Sequence, residues 1–278
     1  MFTADLTYQV TNRWSVDFNL PLEFASRRYT ILAHSLGSFP SSTILGDYGV
    51  SGFGDISLTA QRWMWNPASN PKHNIQLGIG LEIPTGQDNI QNNLITTPGG
   101  AASYQTADYS IQPGIGVWGI PFSWTSFQTL NPQVQIYFNG SYLATLQQSN
   151  GVLNGTLGSK PPQEQYVSPG DEYLMQAGIS YSFESIKGLT LTFGPRDEGV
   201  VAHDLFSGNE GWRRPGLAVS LEPGFEYVFH GGHDMLQASV ARAIYRNRTR
   251  SVPDTQLGTH GDAAFADYVW LASFVHRF

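Results

Sequence analysis

Apolar and polar residues alternate along this chain with a period of two, in segments of roughly ten residues parted by turn-rich stretches. From Asn74 to Ile83, Ile75, Leu77, Ile79, Leu81 and Ile83 share one phase, and Gln76, Gly78, Gly80 and Glu82 share the other. Tyr173, Met175, Ala177, Ile179, Tyr181 and Phe183 oppose Leu174, Gln176, Gly178, Ser180 and Ser182. Leu217, Val219, Leu221, Phe225, Tyr227 and Phe229 oppose Ala218, Ser220, Glu222, Gly224 and Glu226, and Trp14, Val16, Phe18, Leu20, Leu22 and Phe24 oppose Ser15, Asp17, Asn19 and Glu23. Successive strand residues point to opposite faces, so each segment predicts a strand with one apolar and one polar side.

The pattern predicts about eleven strands, at 2–10, 14–25, 53–65, 74–84, 107–118, 129–145, 172–183, 189–195, 216–229, 235–246 and 264–278. Short connectors fall at Thr11-Asn12-Arg13, Asn66 to His73, Ile120 to Gln128, Glu184 to Gly188 and His230 to Asp234. Long ones run about 26–51, 86–106, 147–170, 196–214 and 247–263. A soluble β-sandwich also alternates. Three features favour an up-and-down antiparallel transmembrane β-barrel instead. Aromatics close the apolar phases (Tyr173 and Phe183, Trp14 and Phe24), the polar phases are rich in Gly, Ser and Gln, and connector length alternates. Outer-membrane barrels show all three, with short periplasmic turns and longer outer loops.

Composition agrees. Apolar residues make up 41%, yet none of their runs reaches the roughly 18 residues that a transmembrane helix needs. A net charge of -7 argues against a nucleic-acid binder, which usually shows a basic stripe. With 0 cysteines, disulfides, thiolate metal sites and thiol nucleophiles are out. Met1 to Asp5 carries no basic, apolar or cleavage-site features of a signal peptide. The expectation is one barrel domain over 1–278 in the Gram-negative outer membrane, trimmed of a signal peptide and one upstream strand. Even strand numbers are the bacterial rule, so the intact barrel would have about twelve.

Three positions resist the scheme. Pro113 and Pro223 sit in matching Gln112-Pro113-Gly114 and Glu222-Pro223-Gly224 patterns, each implying a bulge or an interrupted ladder. Arg242 takes the lipid-facing phase, which costs roughly 2–4 kcal/mol at a bilayer midplane. Either a bulge flips its register or it snorkels to an interface.

The final segment, Tyr268 to Phe278, resembles the signal by which the barrel assembly machinery recognises outer-membrane proteins, with Trp270, Ala272, Phe274 and Phe278 in phase and His276 where an aromatic is commoner. Gly52-Phe53-Gly54-Asp55-Ile56-Ser57-Leu58, Leu81-Glu82-Ile83-Pro84-Thr85-Gly86 and Gln112-Pro113-Gly114-Ile115-Gly116 resemble the outer-membrane transporter family of the MetA pathway of phenol degradation. That resemblance covers roughly residues 50–278 and implies a barrel passing small, often aromatic, compounds. It carries over no catalytic or binding residues.

The strand phases turn Asp5, Asp17, Glu23, Asp55, Glu82, Glu222 and Glu226 inward, as a cation-favouring lining or as structural partners of arginines. Tyr137, Trp63 and Trp118 share that face, to stack on a solute or to fill space. Arg196, Arg213, Arg214, Arg246, Arg248 and Arg250 gather at outer strand ends beside acids. They are either partners of lipopolysaccharide phosphates or, the reading favoured here, an ion-pair network holding the loops. His230 and His233 are spaced to clip a metal but lack convincing carboxylates. His203-Asp204 and His260-Gly261-Asp262 suggest a loop-histidine hydrolase, but no serine has a nucleophile-elbow context. The expectation is a non-enzymatic barrel, without cofactor or metal, for passive passage of small solutes. A hydrolase and a closed anchoring barrel are the alternatives. Outer-membrane lipids, lipopolysaccharide and the assembly machinery are the expected partners.

Overall fold

The computed structural model describes residues 1–32, 43–95, 101–155, 158, 160–260 and 265–278. It is nearly all antiparallel β. The strands are β1 (Phe2–Gln9), β2 (Trp14–Leu32), β3 (Thr43–Phe53), β4 (Ile56–Trp63), β5 (His73–Ile83), β6 (Gln91–Leu94), β7 (Ser103–Thr106), β8 (Gly119–Thr129), β9 (Val134–Thr145), β10 (Glu172–Ser182), β11 (Leu189–Val200), β12 (Gly216–Phe229), β13 (Asp234–Arg248) and β14 (Tyr268–His276). Among the described residues one α-helix, α1 (Val252–Leu257), begins at a Ser251–Asp254 capping box. β6 and β7 form a hairpin of their own. The rest make one up-and-down sheet in the order β1-β2-β4-β5-β8-β9-β10-β11-β12-β13-β14. β3 also pairs β2, in line with β4, so the two are one strand broken at Gly54 and Asp55.

This eleven-strand sheet curls into a half-barrel. Long connectors gather at one end (the loop end) and short ones at the other (the turn end). β1 and β14 both run from loop end to turn end, and among the described residues neither edge has a partner strand beyond its single neighbour.

Burial is inside out. Leu77, Ile79 and Leu81 on β5, and Leu221, Phe225 and Tyr227 on β12, are exposed. The alternate residues Gln76, Gly78, Glu222 and Glu226 are more covered. The apolar phase therefore forms the outer face, and the polar phase the inner one. Aromatics ring the outer face at the turn end. Arg62 lies 5.3 Å over the Trp14 ring, Tyr227 stacks on Phe229, and Phe229 meets Phe274 of β14.

Prolines sit where ladders break, because they have no N–H to donate. The β12–β13 register skips Glu222 and Pro223 while Pro223 stays opposite Phe193 of β11, an interrupted ladder as the sequence implies. Pro121 likewise interrupts β5–β8 while opposing Leu143 of β9. Here the structure corrects the sequence reading. Ile120 to Gln128 is not a short connector but most of β8, and 107–118 is not a strand. The Trp118-Gly119-Ile120-Pro121 run looks like a turn, yet two neighbouring strands recruit it. Pro113 lies outside any ladder.

A bulge lies between Val219 and Ser220 opposite β13, but it begins past Arg242. Arg242 stays on the outer phase, across from Leu221 and from Tyr268, the first residue of β14. That level is near the loop end.

The last strand is pinned at the turn end. His276 and His230 both pair through Nδ1 with Asp234, His276 at 2.6 Å. His233 Nδ1 lies 3.0 Å from the Arg277 carbonyl. His230 and His233 thus hold different partners through Nδ1, Asp234 and the Arg277 carbonyl.

Candidate functional site

The segment misread as a strand is the centre of the site. Residues 107–117 contain a single 3-10 turn at Tyr109–Ile111 and pack on the inner face of β2 and β3 near the loop end. Ala107 and Ile111 join Tyr48 and Val50 in a buried apolar cluster, flanked by Ala25 and Tyr29. Gln112 is tied by its own loop: its amide accepts from Ile90 N at 2.9 Å and donates to the Ile90 and Ala107 carbonyls. Asn150 donates to the Ile115 carbonyl at 3.1 Å, and Val117 is wholly buried.

The three motifs carrying the family resemblance meet here. Asp55 accepts from Gly86 N at 2.8 Å and from Ile115 N at 2.6 Å, so one carboxylate on the wall holds two separate stretches of loop. Thr85 Oγ1 accepts from Ile56 N at 3.0 Å. Gly114 lies backbone against backbone on Gly86, where an added Cβ would come within 2.7 Å of the Gly86 carbonyl carbon. Gly116, with φ of 76°, needs the left-handed region. Charge-assisted bonds to buried N–H groups are worth more than neutral ones. Asp55→Ala is expected to destabilise the fold by roughly 2–3 kcal/mol, read as a lower guanidinium midpoint for the detergent-folded protein.

Opposite the wall, Asp108 receives Arg214 through two hydrogen bonds of 2.8 and 2.9 Å, and also pairs with Arg27 of β2. Its backbone N–H donates to Tyr48 Oη, and Ser110 donates to its carboxylate. Burial alone would raise this carboxyl, but the bonds from Arg214 and Ser110 outweigh it and hold it below its usual 3.8. A depressed folded value means its contribution is complete at neutral pH and is lost progressively as pH falls from the unfolded value of 3.8 through the lowered one. The contact also measures the curl. In a flat sheet β2 and β12 would lie seven spacings apart, roughly 34 Å. Here Arg27 of β2 and Arg214, two residues before β12, share one carboxylate.

Between these loops lies a cavity of about 180 Å³ lined by Tyr48, Asp88, Tyr109, Gln112, Trp212 and Arg214 among others. Arg214 stacks over Trp212 with its guanidinium carbon 4.7 Å from the ring centre. Burial raises the Asp88 carboxyl.

A second knot closes the loop end. Arg213 and Asp204 form a buried ion pair at 2.8 Å, with side chains 1% and 0% exposed. Arg213 also donates to Ser168 and the Gly208 carbonyl. Asp171, equally buried, accepts from Thr145 N, Thr145 Oγ1, Tyr142 Oη and Leu205 N, all between 2.7 and 2.8 Å.

The remaining residues of the polar phase have the following partners. Asp17 accepts from Thr7, Asp5 from Asn19, Glu23 stands across from Gly52, and Glu82 across from Ser57. Glu226 accepts from Gln237 at 2.9 Å. Glu222 accepts from Gln176 and Ser239, with Arg196 at 3.7 Å. Tyr137 faces in beside Phe127, over the room left by Gly178, and Trp63 meets Phe127 edge-on at 6.2 Å.

Two sequence expectations are corrected, for Arg196 and Trp118. Arg196 is not at an outer strand end: β11 continues to Val200, and Arg196 is buried on the inner face, bonded to Glu198 at 2.6 Å. Arg213 and Arg214 pair with the loop carboxylates Asp204 and Asp108, in keeping with the ion-pair reading favoured from the sequence. Trp118 is exposed just before β8, its N–H donating to Gln147. His203 and His260 are exposed in loops, and Asp262 lies outside the described residues.

Searched against known protein families, the chain matches no family model.

Proposed function

We propose that this chain forms the wall of a bacterial outer-membrane β-barrel that lets small solutes pass through a mouth narrowed by residues 107–117. The observation that carries the reading is the inside-out burial: an apolar face left exposed around an antiparallel curled sheet, with Glu82, Glu222 and Glu226 on the more covered inner phase. An exposed apolar surface of that extent calls for a covering, and a strand sheet can cross lipid only as a closed barrel. The eleven residues of β5, at a barrel's usual tilt of roughly 40°, would span roughly 28 Å, against an apolar band of about 25 Å. The turn-end aromatics are then the periplasmic girdle, and Arg242 meets the outer headgroups, where lipopolysaccharide phosphates would pair with it. The same motifs that resemble the transporter family build the constriction, which supports the reading.

Reconstituted in planar bilayers, the protein is expected to give discrete conductance steps. Silence at every voltage would overturn passage and favour the second reading, a closed anchoring barrel, to which the packed segment at the mouth also lends support.

Trp270 and Phe274 lie exposed on one phase of β14, and the exposed Phe278 follows two residues past its end, which supports reading this segment as the assembly signal. Deleting Phe278 is expected to lower outer-membrane yield several-fold while synthesis continues. Phe278→Ala should do less harm, because Trp270 and Phe274 remain. Unchanged yield after the deletion would remove β14 as the signal.

A further inference from the structure

Resting on the passage reading, we propose that residues 107–117 are a movable strap across the mouth, latched shut by the Arg27–Asp108–Arg214 triplet. The two ends of the strap are held differently. At its base, backbone meets backbone: Gly114 rests on Gly86, and Asp55 grips Ile115 N at 2.6 Å. Gly116 there, at a positive φ, supplies the torsional freedom a hinge needs. At the other end the hold is largely side chain to side chain, with Asp108 on the strap, Arg27 on β2 and Arg214 on the loop before β12. One carboxylate serves two guanidiniums from opposite walls, so a single failure frees both.

The latch is also within reach of solvent. The side chains of Arg27, Arg214 and Asp108 are 31%, 18% and 14% exposed, whereas the Arg213–Asp204 pair of the neighbouring knot is sealed at 1% and 0%. Counter-ions screen the first and not the second. Ile111 and Ala107, buried against Tyr48 and Val50, oppose release and keep the open form a minority.

The chain has 0 cysteines, so thiols report cleanly. Pro113 is buried on the strap, and Pro113→Cys should react slowly with a bulky maleimide. Adding Asp108→Asn or Arg214→Gln is expected to speed labelling at least tenfold. Arg214→Lys, which keeps the charge, should leave it within about threefold of the parent. Ile111→Cys serves as a second reporter should Pro113→Cys fail to give the heat-modifiable gel band of a folded barrel. Raised salt should speed labelling in the parent and not in the Asp108→Asn background.

Passage is read separately. A Cβ built on Gly52 lies 3.8 Å from Pro113 Cβ, near the mean of roughly 3.8 Å in disulfides. Gly52→Cys with Pro113→Cys, oxidised, should lock the strap and suppress conductance that reductant restores. Equal labelling with and without Asp108 overturns the latch, whatever the conductance. A tenfold labelling difference with silence in every bilayer sustains the latch and overturns passage.

Discussion

Arg213→Met is expected to lower unfolding stability by about 3–5 kcal/mol, the largest single loss at the loop end. Methionine retains most of the apolar stem but leaves Asp204 buried and without its cation. The guanidinium lies 2.8 Å from that carboxylate, within a pair whose side chains are at most 1% exposed. It also holds Ser168 at 2.6 Å and the Gly208 carbonyl at 2.9 Å, so the loops on both sides of β10 and β11 are loosened together. Adding Asp204→Leu removes the stranded charge. It should recover part of the loss, since apolar replacements of buried pairs are often close to neutral. Recovery will be incomplete, because Asp204 also accepts from Asp171 N and Ser207. Guanidinium titration of the detergent-folded protein reads both variants. A loss under 1 kcal/mol for Arg213→Met would mean that water enters the knot and the burial is not real.

How much of this was legible in the sequence follows from which contacts are local. β5, β10 and β12 alternate cleanly, because each is paired on both sides and must present one face to each environment. The segment 107–118 and β12 share a Gln/Glu-Pro-Gly motif yet end differently. Glu222 finds Gln176 and Ser239 on flanking strands, whereas Gln112 finds the backbone of its own loop. Nothing within either motif distinguishes those partners. Arg196 was hidden by a Gly-Pro-Arg-Asp-Glu-Gly run that reads as a turn. It is strand because β12 offers a ladder as far as Gly216. The wall motif at Gly54-Asp55, the Thr85-Gly86 turn and Pro113-Gly114 were each visible as unusual. That they touch depends on long-range backbone contacts, where the absence of side chains is the signal. Arg214 is visible as one of a group of arginines beside acids, but nothing local points to Asp108 or Arg27 as the groups it meets.

The inner-face carboxylates divide by their partners, and ion selectivity should divide with them. Glu226 takes a hydrogen bond from the Gln237 amide, which brings no charge, while Glu222 has Arg196 at 3.7 Å. A unit charge about 7 Å from an ion's path contributes about 0.6 kcal/mol even at the dielectric of water, close to threefold in local cation concentration. Glu226→Gln is therefore expected to reduce cation preference about threefold at low salt. Glu222→Gln should reduce it less, since Arg196 already offsets part of that charge and Glu198 binds Arg196 at 2.6 Å. Arg196→Gln should move selectivity the other way, towards cations, by uncovering both carboxylates. All three shifts should fade in molar salt, where the screening length falls to about 3 Å. Reversal potentials across a salt gradient in planar bilayers give the ratios directly. If Glu222→Gln and Glu226→Gln shift them equally, Arg196 does not shield Glu222 in the conducting protein. If Arg196→Gln fails to raise cation preference, the ion path runs along another wall, and the β1–β5 side with Asp17 and Glu23 becomes the one to change next.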